Sequence, residues 1–268
     1  MEQEKLGIVI NSGLGNQLFT LFAGMSKALD ENKTIVIYPE NNNREYYFHN
    51  FLKVLNKYVS YDDYVDFCDI YNEPYFYYTK IPNNAKIIKG FYQSYKYFNN
   101  NFDKIVDILK IRQMQEKNKL LFKSIAIHFR FGDYLTLTDN HIILPTSYYL
   151  NAINELSAKI NISEYTFIIF SEKCNDVIID KYIKILNLPI KFVKIYEIMP
   201  TITDYEEFLY MSNCDHFIIA NSTFSWWSAY LSTNPDKIVL YPSLWFGPKL
   251  KHYITTDLFP DKWSKIKC

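Results

Sequence analysis

The order of elements along the 268 residues predicts an α/β fold built as two halves, and three observations carry this. The chain opens as strand, glycine loop, helix, strand. An irregular aromatic stretch follows. Beyond it, apolar runs of strand length alternate with helical patterns, the signature of a parallel sheet wound on both faces.

Each element rests on its own residues. "LGIVI" at 6–10 is a β-branched run, "NSGLGN" a tight loop, and "TIVIYPE" at 34–40 a second strand. Between them, Leu18, Leu21, Phe22, Met25, Ala28 and Leu29 of "QLFTLFAGMSKALDEN" recur three and four apart, which places a helix from Gln17. From Tyr46 to Phe102 the pattern breaks into segments such as "YNEPYFYYTK" and "GFYQSYKYF", with "AKIIKGFY" as a short strand. The polar helical piece "RQMQEKNKLLFK" connects the halves, dividing the chain into 1–118 and 119–268. Strands then fall at "IAIHFR", "YTFIIFSE", "IKFVK", "HFIIAN" and "KIVLYPS". Helices fall near "SYYLNAINELSAKI", "NDVIIDKYIKIL", "DYEEFLYMSNC" and "SWWSAYLS".

Composition narrows the function. Hydrophobic residues make up 49% and charged ones 22%, which supports a packed core. Lys+Arg and Asp+Glu balance at 29 each, so no global field gathers nucleic acid or an anionic membrane, and any anion must be bound locally. Cys68, Cys174, Cys214 and Cys268 lack a CxxC pair or zinc-like spacing. The charged start runs straight into a strand, and no segment is apolar for the length of a spanning helix. These features predict a cytoplasmic protein with reduced thiols; peripheral contact with a membrane surface stays open.

Two stretches carry the chemistry. In "IAIHFRFGDYL" an apolar run breaks into His128, Arg130 and Asp133 where a strand ends, the rim at which open α/β sheets bind ligands. In "CDHFIIANSTFSWWSAYL" a buried strand ends at Ala220 and the polar turn Asn221-Ser222-Thr223 starts a helix. Such a turn either caps the helix or offers its first N–H groups to a phosphate. Arg130 is suited to two phosphate oxygens at once, and its alternative is an ion pair with Asp133. Arg130 and the Ser222–Ser225 turn can clamp a diphosphate without a metal, consistent with the missing Asp-x-Asp. Beside Arg130, His128 is expected to stay neutral, as a hydrogen-bonding group or a satisfied core residue. In the glycine loop, Leu18 stands where a dinucleotide fingerprint needs its third glycine, and Asn16 and Gln17 present amides at a helix start.

"GLGNQLF", "HFRFGDY" and "CDHFIIANSTFSWWSAYL", in this order, resemble the three signatures of the α-1,2-fucosyltransferases of glycosyltransferase family 11, the inverting GDP-fucose enzymes. The resemblance implies a GT-B arrangement of two Rossmann-like domains facing across a cleft, the N-terminal half on the acceptor side. The C-terminal half would hold the GDP-sugar, with no cofactor or metal. It carries the donor pyrophosphate to Arg130, the nucleoside to His128 and Phe224, and phosphate to Ser222, Thr223 and Ser225. Gly15 and Asn16 match the glycine-loop motif. Glu207 stands where the family usually has an aspartate reading guanine, with Asp204 as competitor. The activity implied is transfer of L-fucose from GDP-β-L-fucose to the 2-OH of a terminal galactoside in surface glycan or O-antigen synthesis. Asp133 is the first candidate for the base, followed by Glu40 and His128. The aromatic stretch, with Tyr92, Gln93 and Tyr95, is expected to face the acceptor sugar, the alternative being that most of its rings form the N-terminal core. The competing readings are another GDP-sugar donor, a nicotinamide oxidoreductase using Glu40 on the ribose, and a non-catalytic carbohydrate-binding module.

Overall fold

The computed structural model describes residues 3–40, 44–62 and 69–268. Cys68 lies outside them. The first unit comprises Met1–Gln113 with Tyr253–Pro260, and the second Met114–His252 with Asp261–Cys268. The sequence reading put a single break near 118 and had no return of the chain to the first unit.

In the first unit, β1 (Lys5–Ile10), α1 (Leu14–Asp30), β2 (Thr34–Pro39), β3 (Ile70–Asn72), β4 (Ile87–Lys89) and α2 (Phe102–Ile108) surround a parallel sheet of order β2-β1-β4-β3. β1 is buried except at Lys5 because its side chains meet elements on both faces. α1 lies so close to β1 that a Cβ on Gly24 would sit 2.4 Å from the Ile8 side chain. The helix also opens three residues earlier than its apolar spacing indicates, so Gly15 and Asn16 belong to its first turn rather than to a preceding loop.

The division between units falls within α3 (Ile111–Lys117), which stops short of "NKLLFK". The second unit continues through β5 (Ser124–His128), α4 (Thr146–Ser157), β6 (Thr166–Phe170), α5 (Asp176–Leu186), β7 (Phe192–Lys194) and α6 (Ile195–Ile198). It closes with α7 (Asp204–Ser212), β8 (His216–Ile218), α8 (Thr223–Leu231), β9 (Val239–Pro242) and β10 (Ser264–Ile266). Its parallel sheet has the order β10-β9-β8-β5-β6-β7. The core on one face packs Tyr148, Tyr149, Ala152 and Ile153 of α4 against Ile125, Ile127, Phe167 and Ile169 of the strands. On α8, Trp226 and Trp227 are fully buried and join Tyr230 and Trp263 in an aromatic cluster, with Trp226 to Trp263 at 5.4 Å; Trp245 is buried in the same unit.

The α/β expectation with a parallel sheet in each half holds. The strand order turns around between β5 and β8 in the second sheet and between β1 and β4 in the first. In open α/β sheets ligands bind beyond the carboxyl ends of the strands at such switch points. The short strands β3 and β10 and the helix α2 were not expected. Among the described residues no helix is long and apolar enough to cross a membrane.

Candidate active site

β5 delivers His128 and, two residues beyond its end, Arg130 to the switch point of the second sheet. The Arg130 guanidinium donates through Nη2 to Asp133 and through Nη1 to Glu172, the second residue after β6. Its Cζ lies over the Tyr134 ring, 5.1 Å from the ring centroid. Burial opposes its charge, but the Glu172 and Asp133 carboxylates outweigh burial and raise its affinity for the proton. The ion pair with Asp133, the alternative reading of Arg130, therefore exists, and Glu172 adds a second anion.

His128 is 6% exposed and its Nδ1 has no hydrogen-bond partner. Burial, and secondly the Arg130 charge, push its pKa down to about 3, so the ring is neutral near pH 7. It lies against Phe224 of α8 at 5.8 Å, and Phe224 meets Phe208 of α7 edge-on at 5.4 Å. His128 and Phe224, from motifs nearly a hundred residues apart, thus share one aromatic wall. The neighbouring Ser171 is buried with an unpartnered hydroxyl. Two orphaned polar groups at one rim are what a site built for a ligand tolerates.

Glu207 of α7 accepts the Ser171 backbone N–H; burial first, then the Glu172 and Asp204 charges, push its pKa up to about 8. Asp204 sits exposed at the start of α7, where its carboxylate accepts the Tyr205 N–H at 2.7 Å. Of the two candidates for the guanine edge, Glu207 is the one facing the rim.

The Ser222 turn differs from plain capping. Ser222 is the N-cap of α8, yet its side chain makes no capping bond. The hydroxyl of Ser225 is buried and donates to the Ala220 and Ser222 carbonyls at 3.4 and 3.2 Å, so it shapes the turn instead of facing outward. Thr223 and Phe224 are partly exposed. The first N–H groups of such a helix have no intrahelical acceptor and sit at its positive end. Asn221 fixes the turn from behind by donating to the Ile142 and Trp245 carbonyls at 3.0 and 3.1 Å.

The first unit builds its own rim. Gly13 is the N-cap of α1 and has no side chain to cap with. Asn16 is held by Gln93, whose Nε2 donates to the Asn16 Oδ1 at 2.9 Å, while the Gln93 Oε1 is buried without a partner. The loop carrying Gln93 hangs on Glu73, which accepts the N–H groups of Phe91 and Tyr92 at 2.8 and 2.9 Å and whose pKa burial pushes up to about 7. Glu40 pairs with Lys89 at 2.5 Å and accepts from the Asn11 side chain at 2.8 Å, which engages both carboxylate oxygens. Tyr92 is fully buried, with a left-handed backbone (φ 50°) and an edge-on contact to Tyr97, so it is core rather than a sugar platform. Tyr95 is partly exposed, and among the described residues of the stretch the exposed rings are Tyr61, Tyr75, Tyr78 and Phe91.

The second rim combines a fixed cation, an uncapped helix start and an aromatic wall, groups chemically suited to a nucleoside diphosphate. The sequence reading passed over Glu172, Ser171 and Tyr134. Ser171 and Glu172 carry the same signal as Arg130, polar groups directly after a buried strand, in "FIIFSE".

Comparison with known proteins agrees with these motifs. The chain is 35% identical over 139 residues to the O-antigen biosynthesis glycosyltransferase WbnK of Escherichia coli, covering 49% of this chain and 42% of that protein. It is 28% identical over 191 residues to an alpha-1,2-colitosyltransferase of Escherichia coli, covering 66% and 61%. It therefore matches less than two thirds of the length of these curated relatives. Among solved structures, the fucosyltransferase NodZ from Bradyrhizobium aligns with a TM-score of 0.49 at 13% identity, over 90% of this chain and 95% of that one. The family description Glycosyl transferase family 11 matches residues 3–267, nearly the whole sequence; the chain belongs to that family of glycosyltransferases.

Proposed function

We propose that the chain transfers L-fucose from GDP-β-L-fucose to the 2-OH of a terminal galactoside, inverting the anomeric centre, in the synthesis of a surface glycan. The observation that carries this reading is the link between Arg130 and the uncapped start of α8: the guanidinium lies over Tyr134, whose hydroxyl donates to Asn221 beside that turn. In the reaction the acceptor hydroxyl attacks the fucose anomeric carbon, that carbon's bond to the diphosphate oxygen breaks, and negative charge grows on the departing GDP. Arg130 and the helix-start N–H groups are fixed donors for that charge, the type of stabilisation that commonly dominates catalysis. No divalent ion is required in this reading, since the cation and the helix start supply the positive potential.

His128 and Phe224 form the surface for the nucleoside, with Glu207 at the guanine edge. The proton released by the acceptor goes to a carboxylate or to solvent. Asp133 is engaged by Arg130 and Glu40 by Lys89, so departure of GDP leads the transfer and a strong base is not needed. Tyr75, Tyr78 and Phe91 replace Tyr92 as rings for the pyranose face of the acceptor.

A second donor is supported by the colitosyltransferase relative: GDP-colitose in place of GDP-fucose on the same residues. The test offers both donors to the protein with a panel of β-galactosides and reads the product linkage by NMR. An α-1,2-fucosylated product made faster from GDP-fucose is the expected result. Preference for GDP-colitose moves the assignment to that donor, and no transfer of either sugar refutes the reading.

A further inference from the structure

Glu172 occupies a seat that the backbone has been shaped to provide. Its Oε1 accepts from Arg130, and its Oε2 accepts from the Asn175 side chain at 3.0 Å. Asn175 is itself only 5% exposed, and its backbone N–H returns to the Glu172 carbonyl at 3.0 Å. With both oxygens engaged, the carboxylate has one orientation. Across from it stands Gly132 at φ 37°, where an added Cβ would lie 2.8 Å from the Glu172 Oε1. The chain has given up a side chain at the place where the carboxylate approaches Arg130.

The guanidinium is thereby held at both terminal nitrogens, by Glu172 and Asp133, with its Cζ over the Tyr134 ring. A free arginine samples many rotamers and would have to be ordered when a ligand arrives. Here the ordering is done in advance, and the carboxylates leave other guanidinium N–H groups for a ligand. Asp133 is close in sequence and was anticipated; Glu172 comes from a different strand and no motif includes it.

We infer that Glu172 is a positioning residue that, through the notch at Gly132, fixes the Arg130 guanidinium in the geometry that meets the charge developing on the leaving diphosphate. This rests on the transferase reading above. Because Glu172 is an anion close to where another anion binds, it opposes ground-state binding while aiding the chemical step. Its removal should therefore separate two quantities that a merely structural residue would move together.

The test measures GDP affinity by calorimetry, kcat with GDP-fucose and the melting temperature for the full chain and its Glu172→Gln, Gly132→Ala and doubly substituted forms. Glu172→Gln is expected to lower kcat on the order of 10- to 100-fold, the scale of a small misplacement of a catalytic group, with GDP affinity retained or tightened. Gly132→Ala should lower kcat similarly by displacing Glu172, and the double variant should be no worse than Glu172→Gln, since both act through one contact. Should Gly132→Ala fail to fold, Gly132→Asn tolerates the positive φ and still crowds the carboxylate. Wild-type kcat in Glu172→Gln, multiplied effects in the double variant, or parallel loss of kcat, GDP affinity and melting temperature overturns the inference alone. A wild-type chain that binds no GDP and transfers no sugar overturns the transferase reading and this inference with it.

Discussion

The Tyr134 hydroxyl donates to the carbonyl oxygen of Asn221 at 3.0 Å, joining two segments 87 positions apart. Burial pushes the phenol pKa up to about 12, against the pull of the Arg130 charge, so the hydroxyl keeps the proton it donates. The same ring carries Arg130 and stacks on His141 at 4.1 Å. Tyr134→Phe should cost about 1 kcal/mol in urea unfolding, the worth of one buried hydrogen bond. Tyr134→Leu, which also removes the ring, should lose more stability and reduce turnover. Equal stability of Tyr134→Phe and the wild type would show that the bond does not hold the turn.

Replacing Arg130 with Lys keeps the charge and discards the planar fork. A lysine ammonium cannot satisfy Asp133, Glu172 and two phosphate oxygens in fixed directions. The expected loss in kcat is about 100-fold or more, on the scale of removing one preorganised donor. Steady-state kinetics on the folded variant decide it; near-wild-type turnover would confine Arg130 to a structural ion pair.

Protonation gives two opposed slopes in stability. For His128, an unfolded histidine binds protons below about 6.5, while the folded one resists them down to about 3. Its contribution is therefore complete above that upper value and is lost as pH falls through the window. Glu207 behaves in reverse: the folded carboxyl keeps its proton up to about 8, against about 4.5 for an ordinary glutamate, so its contribution is present at acid pH and fades as pH rises through that interval. Urea unfolding from pH 5 to pH 8.5 should show Glu207→Gln losing less stability than the wild type over this rise. Identical pH profiles would contradict the burial that sets the Glu207 proton affinity.

Chelation addresses the metal-free part of the proposal. GDP titrated into the protein in excess EDTA should bind as tightly as in buffer with magnesium. Binding that vanishes in EDTA and returns with magnesium would show that Arg130 and the α8 start do not suffice for the diphosphate.

Much of the second rim was legible because its residues break a pattern. Arg130 and His128 interrupt an apolar strand, and the Ser222 turn precedes a helix with clear spacing. Their convergence needed the strand order, since only the placement of β5 beside β8 brings His128 onto Phe224. Glu172 escaped notice because its partner lies 42 positions away, and local spacing carries no record of a contact across strands. Tyr92 takes the core alternative rather than the acceptor side, for a different reason. Composition marks a tyrosine as amphipathic, but the positive φ and the Glu73 carboxylate that turn this one inward are tertiary facts. That the Ser225 hydroxyl donates to the Ala220 and Ser222 carbonyls within the turn is likewise a tertiary fact.

The aromatic cluster of α8 makes the two units spectroscopically unequal. All four tryptophans, Trp226, Trp227, Trp245 and Trp263, belong to the second unit, and none to the first, whose chromophores are tyrosines. Emission excited at the red edge of the indole band thus reports on the half that carries Arg130 and is blind to the half that carries Asn16. A melt followed by that emission and by far-ultraviolet dichroism gives coincident curves if the two halves unfold as one cooperative block, and separated curves if each melts on its own. The native chain therefore carries a built-in probe of whether its two sheets share their stability, with no label attached.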